Sequence, residues 1–504
     1  MRQSVSAGDG PRIDLPRRQL VIVTIGVLTS MMLFALDSSI VATAMPRIIS
    51  ELSGLQFYAW VTTAYLVTST TIIPISGKLG DLFGRKRFLQ AGTIGFLATS
   101  ALCGFAQTMP QLVAARGLQG LFGGMLTSSA IASIADLYMP ATRARMQGVF
   151  ASVFAVANIA GPIVGGILAD TVGWRYIFYV NVLLGLVASL IVAKNMPTMR
   201  TSATWRSIDV RGALLLAAGL APLLIGLTAT REFGWTSPLV LALFAAAVVL
   251  LILFVFAELR VPNPIMPLRL FRIPAVSVSV AVSFLAAFGM FGSNLYVPLL
   301  YQGLLGLSAT QSGLLLAPRM FGMVAASLTS GQLVTRITRY RFVGAAGLVL
   351  LAAGLFVLSR ITTESTELTV VGALVLLGLG FGSNQPIYQN VVMSAVPFEY
   401  VGVASSQVQF WRSLGQTMGV AVLGAVLASQ VAGPTAGETV SAISPELRPA
   451  LAEGLRSLFL VATVAVAIAV VVSLQLPEVP FRRRGQARTA VADTIASPDP
   501  ATTA

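Results

Sequence analysis

The chain reads as an all-α polytopic membrane protein built by internal duplication, and three observations carry that reading. Only 10% of its 504 residues are charged and 56% are hydrophobic, with a mean hydropathy of +0.83, whereas a soluble domain carries about 25% charged residues. The apolar residues come in blocks of about 20 or more, each long enough to cross a hydrocarbon core of about 30 Å as a helix. Lipid offers the backbone no hydrogen bonds, so helices are the form such blocks take. The third observation is a repeat: SGKLGDLFGRKRFLQAG at 76–92 returns, degraded, as SGQLVTRITRYRFVGAA at 330–346. An offset of 254 positions lays Gly77, Leu79, Arg85, Arg87 and Phe88 on Gly331, Leu333, Arg339, Arg341 and Phe342. It also carries Gly148 onto Gly402, Gly161 onto Gly415 and Gly165 onto Gly419. One offset serving loops and helices alike marks a duplication.

Taken in order, the apolar blocks predict spans near 20–46, 57–77, 88–106, 110–136, 146–169, 175–194, 209–230, 238–257, 275–301, 310–333, 342–360, 368–395, 401–429 and 454–475, fourteen in all. The run after residue 19 lacks a cleavage signature and is too long for a signal-peptide core, so it is expected to stay as the first span. The repeat offset moves span 3 onto span 11, and an even displacement keeps orientation, as in parallel repeats. The chain therefore divides into a cytoplasmic N-terminal tail (1–19), an N-terminal six-helix bundle (20–194), a linker with two inserted helices (195–274), a C-terminal six-helix bundle (275–475) and a small, polar, disordered cytoplasmic tail (476–504). With the N-terminus inside, 24 of the 33 Lys and Arg fall in inner segments, which places both termini in the cytoplasm. Phe57, Tyr58, Trp60, Trp174, Tyr176 and Trp235 stand at outer boundaries and fit interfacial anchoring.

Composition also excludes several chemistries. The net charge of +14 sits in short loops, with no domain to present it to nucleic acid. Cys103 is the single cysteine and there is no histidine, so a disulfide framework, a thiolate metal site, an imidazole relay and a haem ligand are all unavailable. No metal or organic cofactor is expected. A membrane enzyme would need a carboxylate pair or metal-ligand cluster within the spans, and none is seen. A sensor or scaffold would need an appended soluble domain, for which no segment is long enough.

The residues that can carry chemistry are few. LDSSIVATAMP in span 1 sets Asp37 well inside the membrane with no Lys or Arg within one turn. A lone carboxyl there costs about 2.5–3.5 kcal/mol on insertion scales and marks an ion or substrate pathway; the alternative is a structural acid capped by Ser38, Ser39 or a neighbouring hydroxyl. The offset lands Asp37 on Phe291, so the second half has no equivalent acid. In span 4, AARGLQGLFGGM places Arg116 and Gln119 among Gly117, Gly120, Gly123 and Gly124. Glycines at that spacing give a smooth packing face, and the arginine must be paired, hydrated or snorkelling to the interface. NIAGPIVGGILAD in span 5 holds Gly161, Pro162, Gly165 and Gly166, a hinge or a tight helix contact. In the opening loop, Gly77, Gly80 and Gly84 permit a tight turn, with Asp81 among Arg85, Lys86 and Arg87; this is either a latch or a topology signal. Candidate cavity residues are Met31 and Phe34 in span 1, Asn294 and Tyr296 in span 9, Asn384, Gln385 and Tyr388 in span 12, and Arg412 in span 13. Soft apolar surfaces with a few amides suit varied ligands, although the same amides also serve interhelical hydrogen bonding.

Several of these strings carry a family resemblance. Gly77 to Arg87 meets the pattern G-x-L-x-D-x-x-G-R-[KR]-[KR], and on it the chain resembles the major facilitator superfamily, whose loop at that place braces a cytoplasmic gate. The first-span string resembles L-D-x-[ST]-I-V-x-x-A-x-P of the fourteen-span drug:proton antiporters of the EmrB/QacA type. Arg116, Gln119 and Gly120 match R-x-x-Q-G, in which the arginine is implicated in proton coupling. Gly161 to Gly166 resembles the exporters' G-P-x-x-G-G. WRYIFYVN at 174–181, GLGFGSNQP at 378–386 and WRSLGQTMGVA at 411–421 look like segments of the same antiporters, with Gln416 where symmetry with Pro162 predicts a proline.

The resemblance covers roughly residues 18–475. It implies a major facilitator fold with fourteen transmembrane helices, in a bacterial cytoplasmic membrane, acting as a monomer. The implied activity is alternating-access efflux of a small amphipathic organic substrate in exchange for protons, with the proton gradient as energy source, membrane lipid around it and no nucleic acid. Asp37 and Arg116 would couple the proton, and protonating Asp37 would remove the charge that holds a cationic substrate. The alternative cargo is a lipid, a cell-envelope precursor or an endogenous secondary metabolite.

Overall fold

The structure is a computed structural model that describes residues 15–52, 58–138, 140–198, 209–262, 264–294, 296–297, 300, 309–336, 340–362, 365–430 and 448–477. Most of both terminal tails lies outside the described residues, as do Phe57 and the side chains of Tyr58, Pro162 and Asn294.

The long helices are α1 (Arg17–Leu52), α2 (Tyr58–Phe83), α3 (Arg85–Phe105), α4 (Met109–Leu137), α5 (Pro140–Thr171), α6 (Tyr176–Asn195), α7 (Val210–Phe233), α8 (Pro238–Glu258), α9 (Pro274–Asn294), α10 (Ala309–Arg336), α11 (Tyr340–Ser359), α12 (Glu367–Ala395), α13 (Val401–Gln430) and α14 (Arg448–Ser473). Among the described residues, ten helices are long and apolar enough to cross a membrane. Of the other four, α5 (Pro140–Thr171) includes side chains outside the described residues, and in α2, α10 and α13 hydroxyls, amides and charges dilute the apolar residues. These are also helices that meet across the two halves, α2 against α13 and α10 against α5. Polarity that hydrocarbon would reject is tolerated where helices face one another.

Local signals place several helix ends. Thr108 caps α4, its hydroxyl accepting from the Gln111 N–H at 3.4 Å, with Pro110 in the first turn. Asp209 caps α7 by accepting from the Gly212 N–H at 2.8 Å. Glu258, at the end of α8, accepts from the N–H groups of Ile265 and Met266 at 3.1 and 3.2 Å. Between α2 and α3 the chain turns on Gly84, whose φ of 94° lies in the region that favours glycine.

Packing repeats from one half to the other. A methyl group added to Gly120 or Gly124 of α4 would overlap the backbone carbonyls of Tyr65 and Ser69 on α2. Likewise, one added to Gly378 or Gly382 of α12 would overlap the carbonyls of Arg319 and Met323 on α10. Gly161 brings α5 onto Ser39 of α1, and Gly415 and Gly419 bring α13 onto Phe284 and Phe288 of α9. Small residues at such crossings let backbones approach where no hydrophobic effect drives helices together. α7 and α8 pack on each other, with α7 beside α2 and α13. One apolar cluster joins the halves, running from Val23 and Val27 to Val403 and Ala404.

The aromatic boundary residues divide into two kinds. Tyr176 and Trp235 are exposed, as anchors are, but Trp174 is 2% exposed and packs edge-on against Phe178 with ring centroids 6.2 Å apart. It is a packing residue, because its indole has a partner inside the protein.

Gly120→Val is expected to lower the unfolding temperature of the purified protein by several degrees, since overpacking costs about 1–3 kcal/mol. Gly166→Val, where an added methyl meets nothing within 4 Å, is the control in the same thermal-unfolding measurement and should change little.

Candidate functional site

Asp37 stands alone in the sequence but not in the fold. Its Oδ2 accepts from Arg116 Nη1 of α4, while Oδ1 accepts from Gln119 Nε2 at 3.0 Å and Asn181 Nδ2 at 2.8 Å. Arg116 also donates to Gln119 Oε1 at 2.7 Å, and its guanidinium lies over the Tyr65 ring, 4.1 Å from the centroid. Ser100 of α3 accepts from Asn181 at 3.3 Å, and Cys103 of α3 donates to Gln119 at 3.4 Å. Asp37 and Arg116 are each 1% exposed. Six helices, α1 to α4 and α6 directly and α5 through its packing on α1, thus close around one ion pair. Ser38 and Ser39 turn to backbone carbonyls of α1 and α5 instead, so they are not the acid's caps. In this arrangement Arg116 matches the Asp37 carboxylate charge.

The string WRYIFYVN now has a physical account. Trp174 Nε1 donates to Glu51 Oε2 at 2.7 Å, and Arg175 donates to Glu51 Oε1. Two turns further on, and so on the same face, Asn181 reaches Asp37. The string fastens α6 to α1 at two heights. α1 has 36 residues, about 54 Å, so Glu51 in its last turn projects beyond a hydrocarbon core of about 30 Å. There the Arg175 hydrogen bond holds the Glu51 carboxyl below its ordinary range.

A chain of rings leads from this pair to the other half. Tyr65 stacks on Phe34 at 5.6 Å, and Phe34 meets Phe154 edge-on at 6.4 Å. Phe154 lies 5.7 Å from the guanidinium of Arg412 on α13. Arg412 lines a cleft with Asn384, Gln385, Tyr388, Gln389 and Gln409, with a volume of about 20 Å³, room for roughly one water molecule. Four of the predicted cavity residues, Asn384, Gln385, Tyr388 and Arg412, therefore come together, with Phe34 two rings away. Met31 is wholly buried in the apolar core, because its face of α1 turns inward. Tyr296 packs on α13, its hydroxyl donating to the Val420 carbonyl at 3.3 Å. Neither lines this cleft.

The α2–α3 turn forms a second constellation. Arg85 donates to Asp81 at 2.9 Å and to Asp136 of α4 at 2.5 Å, and it also bonds the Ala132 carbonyl. Asp81 Oδ2 accepts from the Val403 N–H at 2.9 Å, in the first turn of α13, where amides lack helical partners and the dipole favours an anion. Gly77 and Gly402 allow the approach: a methyl on the first would overlap Ser406, and one on the second would overlap Asp81. Lys86 donates to the Ala193 carbonyl at 2.8 Å, while Arg87 is exposed. At the same end, Ser327 of α10 donates to the Gly148 carbonyl of α5 at 3.1 Å, and Gln147 donates to Met393 Sδ at 3.4 Å. The halves are closed on each other here. Gly161 contributes the α1–α5 contact described above, Gly165 is buried, and Gly166 faces open space.

Sequence spacing had not singled out Gln119 or Asn181 as partners of the acid, nor Tyr65, Phe154, Asp136 or Val403. An amide in the apolar block of α6 was the available signal for Asn181. Among the described residues no cluster of metal-ligating side chains occurs.

The profile of the Major Facilitator Superfamily matches residues 27–207 and 210–420. The chain is 36% identical over 410 residues to the multidrug transporter protein MdtP of Bacillus subtilis, covering 81% of this chain and 75% of that one. It is 33% identical over 410 residues to the tetracenomycin C resistance and export protein of Streptomyces glaucescens, again covering 81% and 75%. Among solved structures, the human organic anion transporter MFSD10 has a TM-score of 0.66 at 15% identity, covering 91% of this chain and 100% of that one, a likeness of fold alone. On a profile match over most of its length and relatives above 30% identity, the chain belongs to the Major Facilitator Superfamily, whose members are multi-pass membrane transporters of small substrates and not enzymes.

Proposed function

We propose that the chain exports amphipathic organic compounds in exchange for protons, as a fourteen-span drug:proton antiporter of the EmrB/QacA type in a bacterial cytoplasmic membrane. In this reading both termini are cytoplasmic and the α2–α3 turn is the cytoplasmic gate. The two six-helix bundles, 20–194 and 275–475, move against each other, with the inserted segment 195–274 alongside. The observation that carries the reading is the buried Asp37–Arg116 pair. The names of the two relatives, a multidrug transporter and a resistance and export protein, supply the cargo class.

The coupling follows from electrostatics. As long as Asp37 is ionised, the pair is matched and its remaining lone pairs are engaged. A proton arriving from outside on an Asp37 oxygen leaves a lone guanidinium in apolar surroundings, and an uncompensated buried charge is worse by about 3–5 kcal/mol. Protonation and rearrangement of α1 against α4 are therefore one event. Tyr65 Oη, Arg116 Nε and Asn181 Oδ1 are buried without hydrogen-bond partners among the described residues, which gives the cluster a second set of bonds to make. In the rearranged state the Asp81–Val403 contact opens, cargo enters from the cytoplasm and the proton leaves inward. Reclosure then carries the cargo out.

Asp37→Asn in the membrane is expected to abolish protonophore-sensitive efflux of amphipathic dyes while passive uptake continues. Asp37→Asn with Arg116→Gln should regain thermal stability lost by Asp37→Asn, because no charge is left unmatched, yet remain unable to export uphill. Uphill export by either variant at the wild-type rate would sink the coupling role. At the gate, Asp81→Ala should make a cysteine placed by Ser406→Cys react several-fold faster with a water-soluble maleimide. Unchanged labelling would mean that Asp81 braces nothing.

A further inference from the structure

The interior charges at the two constellations above are matched: Asp37 with Arg116, and Arg85 with Asp81 and Asp136. Arg412 is different. Its guanidinium donates to Gln409 Oε1 at 2.7 Å and lies beside the Phe154 ring, but among the described residues it has no carboxylate partner. The side chains that line the cleft with it are apolar groups, the hydroxyls of Ser283 and Tyr388, and amides, with no acid among them. The cleft therefore carries one net positive charge. A guanidinium kept unmatched at membrane depth is costly, and its planar fork matches the two oxygens of a carboxylate or sulfonate.

We propose that Arg412 makes this cleft, which holds about one water while the halves are closed and must widen as they part, an anion-binding site, so that the exported cargo is an amphipathic organic acid with an aromatic body. The acid's oxygens pair with Arg412, next to the amide of Gln409, and its aromatic part lies along Phe154 and Phe34, both only partly buried. A cation is repelled by Arg412, and Asp37, already matched, offers it nothing. Because Phe34 stacks on Tyr65 beneath Arg116, an aryl group wedged at Phe34 presses on the ring that supports the proton site. A one-for-one exchange of an outgoing monovalent anion for an incoming proton also moves positive charge inward on both legs, so an inside-negative potential drives both.

The inference rests on the export reading, and its test is separable from it because it measures equilibrium binding without any gradient. The full-length protein, purified in detergent, is titrated with two probes sharing one aromatic body, 1-naphthylacetate and (1-naphthylmethyl)trimethylammonium. The wild type should bind the acetate at least about tenfold more tightly, the span expected of one charge-assisted contact. Arg412→Gln should lose that preference, Arg412→Lys should keep part of it, and Arg412→Glu should reverse it in favour of the ammonium, a gain that a misfolded protein cannot show. Phe154→Leu should weaken both probes alike. Equal or tighter binding of the ammonium by the wild type, absence of acetate binding at millimolar concentration, or acetate affinity within about twofold of wild type in Arg412→Gln would each overturn the anion site. Such a result, with gradient-driven efflux intact, would leave the export reading standing.

Discussion

The structure depends on one ion pair that water cannot reach. Asp37 and Arg116 survive in the first half only because each lone pair and proton they expose is nearly all taken up by a neighbour: Gln119 on the same helix as the arginine, Asn181 on α6, the face of Tyr65 on α2. Those neighbours in turn recruit Ser100 and Cys103 of α3. A buried pair is weak evidence for stability but strong evidence for position, since removing either partner leaves a charge with nowhere to go. The relative placement of the first-half helices can be understood as the set of distances this pair requires.

The second half shares the scaffold and not the chemistry. Glycines let α12 approach α10 as α4 approaches α2, and α13 approach α9 as α5 approaches α1. At the position equivalent to Asp37 stands Phe291, which meets Phe381 edge-on at 5.2 Å. An aromatic contact fills the space without titrating. The offset keeps glycine at some of the places where backbones touch, Gly124 with Gly378 and Gly161 with Gly415, while the position of Asp37 carries no acid in the second half. The second half carries Arg412, whose guanidinium lies beside Phe154 of the first half.

Hydropathy and glycine spacing made the helices and the repeat legible, because lipid forces a backbone to bond to itself and small residues mark close crossings. Asp37, Arg116 and Arg412 were also legible singly, since a charge in an apolar block needs a reason. Their partnerships were not. Asp37 and Arg116 are 79 positions apart on helices whose rotation about their axes no local spacing records. For the same reason Asp136 and Val403 escaped notice as partners of the turn: one lies in an ordinary helix end and the other offers only its backbone. Trp174 misled because a boundary tryptophan usually faces the interface, and only the fold shows that Glu51 lies within its reach. Met31 and Tyr296 lie away from the cleft beside Arg412, because residue type alone does not say which way a helix turns.

α4 carries Arg116 near one end and Asp136 near the other, twenty residues apart in the numbering, roughly 30 Å of unbroken helix. A helix of that length resists compression, so it acts as a rigid lever between the two charged sites. Any tilt imposed at the Arg116 end appears, reversed about the glycine-lined crossing with α2, as a displacement of the aspartate that grips Arg85. The tight seat formed by Gly120 and Gly124 is then a fulcrum, and its place along the helix, nearer Arg116 than Asp136, makes the Asp136 end the longer arm.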